Sequence, residues 1–258
     1  MEKLFKSNLL KLFLILCFFV IFFSSVVNIY EKRHKIIGFT KAKVKPGKMY
    51  AQEQHDLAYD ILKGGYILLF RHAEREKWID VKKYDSSEIN NNLKAENEYF
   101  YKAVCLSDRG LVQAKAMGEI INKINIPYHI VVSSPSCRAR QTAELAFGGY
   151  DYIRNIFMHY GPYFEDSDEF IENVKNEILK IETKQNSNVI ISAHNGVIRS
   201  TKIFDEIEKE IDFSQIAKKF MEEGGFIVMK KKENKLVFVD LFYTFHDFQL
   251  NFQKRPKK

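Results

Sequence analysis

Five short apolar runs bounded by polar residues constrain this chain more than any other feature. They are Tyr66–Phe70 (YILLF), Tyr128–Val132 (YHIVV), Asn188–Ser192 (NVIIS), Phe226–Met229 and Leu236–Phe242. Runs this short and rich in Ile and Val suit central strands covered on both faces, since a strand with one wet face would alternate apolar with polar. Between them lie helical patterns. Over residues 109–124, Leu111, Ala114, Met117, Ile120, Ile121 and Ile124 form one stripe, with Ser107 as N-cap. Over 168–182, Phe170, Ile171, Val174, Ile178 and Ile181 repeat the pattern. Strands alternating with helices predict an α/β layer sandwich. The polar, irregular stretch 80–104 reads as an insertion near the end of the first strand, where open α/β sheets bind ligands.

The charge distribution narrows the class of partner. The 258 residues carry 40 Lys and Arg against 33 Asp and Glu, a formal +7. Residues 1–50 alone hold +8 and the last eight residues +4, so the body between 51 and 250 is about −5. The positive excess sits in the flanks, which argues against a general basic face for nucleic acid. Hydrophobic content of 46% with only 5 Pro rules out a disordered or fibrous chain. Three cysteines make no disulfide framework, and their spacing matches no zinc pattern.

Leu12–Tyr30 (LFLILCFFVIFFSSVVNIY) runs for 19 residues without a charge, close to the ~20 a bilayer-crossing helix needs. Lys3, Lys6 and Lys11 precede it, as they would a cleaved signal peptide. The apolar run exceeds the usual signal core, and no clean small-x-small site follows at Ser24–Asn28, so an uncleaved anchor is expected. The predicted organisation is a transmembrane anchor over 1–30, a polar basic stalk over 31–57 and one domain over 58–258. Basic residues flank both sides of the apolar run, so charge alone leaves the orientation open; an exported domain is the favoured expectation.

Chemistry gathers at strand ends. Arg71-His72-Ala73-Glu74 follows the first run. Ser133-Ser134-Pro135-Ser136-Cys137-Arg138 follows the second, where Ser133, Ser134 and Pro135 have an ordinary reading as helix-capping residues. An arginine in the first turn opposes the helix dipole, so Arg138 needs a compensating anion. Ala193-His194-Asn195-Gly196 follows the third. A histidine at a strand end is more often structural than chemical. Three successive strand ends presenting His, Arg and His nevertheless outline a phosphate-sized anion pocket with an imidazole nucleophile.

The series RHAE, LSDRGLVQAKAMG, SSPSCRARQTA and SAHNG, in this order from Ile67 to Arg199, resembles the histidine phosphatase superfamily, which includes the phosphoglycerate mutase-like enzymes. The resemblance implies a three-layer α/β/α sandwich around a mixed, mostly parallel sheet. It also implies a phosphatase acting on a phosphomonoester. His72 matches the nucleophile that becomes a phosphohistidine, and Arg71 the neighbouring phosphate-binding arginine. Arg138 matches the arginine of the second motif and His194 the second histidine at the phosphoryl group. No metal or other cofactor is implied, since Arg and His can stabilise the equatorial oxygens.

The leaving oxygen needs a proton, and in one branch of the family that acid lies in a loop after the arginine motif. Here the loop is Gly161–Glu169, with Glu165 the first candidate, Asp166 the second and Glu74 an outside one that could instead orient Arg138 or Arg75. Asp166–Glu169 could also simply favour the following helix's N-terminus. Gly110 and Gln113 are expected to serve packing. His34, His55, His129, His159 and His246 lack a catalytic context, and Trp78 is placed to shape the pocket only by its position. Cys105 and Cys137 could form a disulfide if the domain is exported and are expected as free thiols if it is cytoplasmic; their spacing says nothing about geometry. The alternatives to a phosphatase are a phosphomutase of the same superfamily and a non-catalytic anion-binding scaffold.

Overall fold

A computed structural model describes residues 56–76, 85, 101–158, 167–198, 200–208 and 221–253. The chain divides into two units, Met1–Gly47 and Lys48–Lys258, and every described residue belongs to the second. The expected anchor at 12–30, nearly all of the stalk, Trp78, His34, His55, His159, Glu165 and Asp166 lie outside the described residues. Among those described, no helix is long and apolar enough to cross a membrane.

Seven strands form one sheet. They are β1 (Ile67–Arg71), β2 (Tyr128–Ser133), β3 (Tyr152–Ile153), β4 (Asn188–Ala193), β5 (Glu206–Ile207), β6 (Phe226–Lys232) and β7 (Lys235–Phe242), in the order β3-β2-β4-β1-β6-β7-β5. The pairs β1–β4, β2–β4, β2–β3 and β5–β7 are parallel, whereas β1–β6 and β6–β7 are antiparallel. The sheet is therefore mixed and mostly parallel, as expected.

Helices cover both faces. The described ones are α1 (56–61), α2 (Tyr101–Val104), α3 (Asp108–Ile124), α4 (Cys137–Phe147), α5 (Ser167–Lys180) and α6 (Phe245–Gln253). Successive strand residues point to opposite faces, and β1 shows the result. Ile67 and Leu69 enter a core with Phe170, Val174 and Ile178 of α5. Leu68 and Phe70 enter a second core with Met117 and Ile121 of α3, Ala143 of α4 and Phe248 of α6. Each such side chain removed from water contributes about 1.5–3 kcal/mol. Phe70 stacks on Phe226 at 4.5 Å between centroids, and Phe226 on Phe242 at 5.0 Å.

Capping chemistry sets the helix starts. Ser107 accepts from the Gly110 amide at 3.1 Å, as expected. For α4 the expectation needs correcting. The N-cap is Ser136, whose hydroxyl accepts from the Ala139 amide, while Ser133 ends β2 and the Ser134 hydroxyl turns to another partner. The helix α6 opens on a reciprocal box, Thr244 Oγ1 accepting from the Asp247 amide and Asp247 Oδ2 from the Thr244 amide, both at 3.0 Å. The consequence for chemistry lies in the parallel strands β1, β4 and β2. They are adjacent and run the same way, so Arg71, Ala193 and Ser133 end at one edge of the sheet.

Candidate active site

The backbone brings the three strand-end motifs into direct contact. The His72 amide donates to the Ala193 carbonyl at 3.0 Å, and the Ser134 amide to the Ser192 carbonyl at 2.9 Å. Side chains of the second motif fasten the others. Thr142 Oγ1 accepts from the Ala73 amide at 2.9 Å, and Gln141 Oε1 from the Leu106 amide at 2.8 Å. Gln113, expected to serve packing, is a hydrogen-bonded strut. Its Oε1 accepts from the Glu74 amide at 2.8 Å and its Nε2 donates to the Glu223 carbonyl at 2.7 Å.

His72 is 4% exposed. Its Nδ1 lies 2.7 Å from the Ala73 carbonyl. A carbonyl oxygen can only accept, so Nδ1 carries the proton and Nε2 keeps its lone pair. Burial pushes the imidazole well below its ordinary pKa, and the charges of Arg138 and Arg71 push the same way. The fold therefore favours the neutral ring at physiological pH.

The second imidazole, His194, is equally buried and lies 5.2 Å from His72 between ring centroids. Arg138 Nη2 sits 3.3 Å from its Nδ1. Guanidinium nitrogens only donate, so Nδ1 is the acceptor here and Nε2 carries the hydrogen. That Nε2–H faces Ser134 Oγ at 2.9 Å and Ser136 Oγ at 3.3 Å.

The arginines are held from several sides. Arg71, at the end of β1, donates Nη1 to the Met221 carbonyl at 2.6 Å and Nη2 to Glu223 Oε1 at 3.0 Å. The turn carrying Glu223 is tied back to the end of β1, because the Gly224 amide donates to the carbonyls of Arg71 and His72. Gly224 has φ +85°, a conformation that favours glycine. Arg138 opens α4, and Asp85 supplies the anion that its position demanded, with Oδ1 at 2.7 Å and Oδ2 at 2.8 Å. Arg75 belongs to the same electrostatic cluster. Burial lowers its pKa first and the Arg138 charge adds to that, while Glu223 and Asp85 oppose it.

Of the expected residues, the structure therefore brings together Arg71, His72, Arg138 and His194. Glu74 does not orient Arg138 or Arg75; its carboxylate meets Arg109 at 2.6 Å. His129 meets the Glu182 carbonyl instead, and His246 is exposed. Two participants escaped the sequence reading altogether, Asp85 and Glu223, and the contact of the Ser134 and Ser136 hydroxyls with His194 escaped it too. The one available signal was the unopposed cation at the start of α4, which requires an anion without saying which. Cys105 and Cys137 are joined in a disulfide, the first of the two expected alternatives. Among the described residues, no group of three or more His, Cys, Asp or Glu could hold a metal ion.

Residues 67–156 match the model of the histidine phosphatase superfamily, branch 1. That span includes Arg71, His72 and Arg138 and stops short of His194. No curated protein matches the chain. Among solved structures it is similar to the protein histidine phosphatase SixA complexed with tungstate, at 11% identity and TM-score 0.45, over 69% of this chain and 96% of that one. A protein of the open reading frame Rv3214 from Mycobacterium tuberculosis has 16% identity and TM-score 0.46, over 69% and 97%. Phosphoserine phosphatase from Entamoeba histolytica in complex with 3-phosphoglyceric acid has 14% identity and TM-score 0.44, over 70% and 98%.

Proposed function

We propose that this chain is a phosphatase that hydrolyses a phosphomonoester through a phosphohistidine on His72. The observation that carries the reading is the state of that imidazole. It is buried and neutral, with Nδ1–H engaged by the next residue's carbonyl and the Nε2 lone pair left for attack. In the first step Nε2 bonds to phosphorus as the ester P–O bond breaks, and the departing oxygen takes a proton from a carboxylic acid. Glu165 is the first candidate for that acid and Asp166 the second. Glu74 is weakened by its Arg109 partner. In the second step water attacks phosphorus, the N–P bond breaks, and the carboxylate takes the water's proton. Phosphoryl transfer spreads charge over three equatorial oxygens, which Arg71, Arg138 and His194 are assigned to bind, His194 by redirecting its Nε2–H from Ser134.

In this reading the substrate is a small or macromolecular phosphomonoester, with no metal or cofactor required. Residues 12–30 tether the domain to a membrane, and the domain sits on the exported side. The Cys105–Cys137 bridge supports that side, since disulfides persist in oxidising compartments.

Turnover of p-nitrophenyl phosphate by the full-length chain tests the reading. His72→Ala should lower kcat roughly a thousandfold or more, as loss of a nucleophile does. An acid-labile phosphoryl label should form on wild type and not on the variant. Equal rates for the two proteins would end the proposal.

A further inference from the structure

Arg138 has a guanidinium with two usable edges, and the structure distinguishes them. Its terminal pair, Nη1 and Nη2, is gripped by both oxygens of Asp85, a residue 53 positions earlier in the chain. Both side chains are 1% exposed, so the pair is shielded from bulk solvent. Nη1 also faces the Val104 carbonyl at 3.3 Å, and Nη2 faces His194 Nδ1 at 3.3 Å. One donor is left. The Nε–H is buried and has no hydrogen-bond partner among the described residues.

A buried N–H without an acceptor is costly, and a planar fork needs a partner of matching geometry. The Nη1/Nη2 edge is committed to a carboxylate. The Nε/Nη2 edge is the one on which the orphan donor and the contact to His194 both lie. His194 in turn stands beside the His72 ring.

We propose that Asp85 is a positioning residue for phosphoryl transfer. By gripping the Nη1/Nη2 edge of Arg138, it leaves the unpartnered Nε–H on the side of His194, where an oxygen of the phosphoryl group is received. This rests on the phosphatase reading of the site. Asp85 has a second effect, because three guanidiniums, those of Arg71, Arg75 and Arg138, repel one another. Arg71 and Arg75 each feel the repulsion of Arg138, and the Asp85 carboxylate offsets that repulsion at Arg75. An arginine held on one side by a fixed carboxylate loses little freedom when substrate arrives, which is the gain from preorganisation.

The alternative role for the same contact is competition, with the carboxylate occupying Arg138 at the expense of substrate. The two roles predict opposite signs. The test uses the full-length chain, with inorganic phosphate binding followed by calorimetry and p-nitrophenyl phosphate turnover measured alongside. Asp85→Asn keeps the shape and removes the charge. It should weaken phosphate binding and lower kcat/KM, each about 10- to 100-fold, the scale of a misplaced catalytic group. Asp85→Glu, which restores the carboxylate on a longer stem, should recover part of both. A purely structural role would lower the melting temperature of Asp85→Asn but leave phosphate affinity per folded molecule unchanged.

Phosphate binding and kcat/KM within twofold of wild type in Asp85→Asn would overturn the assignment. So would tighter binding with faster turnover, which would identify a competing carboxylate. If Asp85→Asn does not fold, Asp85→Glu decides by the same measurements, and wild-type values in it would overturn a role that depends on fork geometry. Failure of the phosphatase reading has a different signature: His72→Ala would turn over like wild type, while the binding arm still reports on Asp85 and Arg138.

Discussion

At His72 one hydrogen bond and the surrounding charges decide what the side chain can do. The Ala73 carbonyl orients the ring, and burial with Arg138 and Arg71 holds it neutral. This has a consequence for stability. The folded-state pKa lies below the unfolded value of about 6.5, so folding favours the deprotonated ring. The His72 contribution is complete above about pH 6.5 and is lost as pH falls toward the folded pKa, by up to ~1.4 kcal/mol per pH unit. Urea midpoints measured from about pH 7.5 down to about 5.5 should therefore fall more steeply in wild type than in His72→Asn. Parallel curves would show that the imidazole is not held neutral by the fold. At this scale the two histidines and the arginines were legible because each sits beside a strand-ending apolar run. Asp85 and Glu223 were not, because a carboxylate in a polar stretch has no periodicity or spacing that marks it.

Elements meet at few points, and the start of α3 is one where the fit is tight. A Cβ at Gly110 would lie 1.9 Å from the Glu74 carbonyl oxygen, which is backbone and cannot swing aside. Glu74 is two residues past His72, so the clash is transmitted to the site. Gly110→Ala should cost about 1–3 kcal/mol, as overpacking does, and lower turnover together with stability. Thermal melting and p-nitrophenyl phosphate turnover check it, and an unchanged pair of values would refute the close approach.

The central strands and the helices α3 and α5 were readable from apolar periodicity, with ends correct to within a residue or two. The strands β6 and β7 run on into Lys230–Lys232 and Lys235, because a hairpin ladder continues past the core wherever its side chains reach water. The strands β3 and β5 have two residues each, too few for any period. The helix α6 did carry signals, the Thr244–Asp247 box and a Phe245, Phe248, Phe252 stripe at helical spacing.

At the scale of the whole molecule, the Cys105–Cys137 bridge carries one prediction, that the domain lies in an oxidising compartment. A reporter fused after Lys258 that works only outside the cytoplasm should be active, and the extracted chain should show no free thiol at Cys105 or Cys137 until it is reduced. An active cytoplasmic reporter with both thiols free would reverse the assignment of side.

Local sequence by itself determined the α/β layering, the helix stripes and the delivery of Arg71, His72, Arg138 and His194 to strand ends and the helix start beside them. Those features follow from side-chain periodicity and capping, which act over a few residues. Only the tertiary structure decided that Asp85 neutralises Arg138, that Glu223 meets Arg71, that Ser134 takes the His194 Nε2–H and that Cys105 reaches Cys137. Each of these joins positions 32 or more residues apart. A contact of that reach depends on the path of the chain between its ends, and no short stretch of sequence encodes that path.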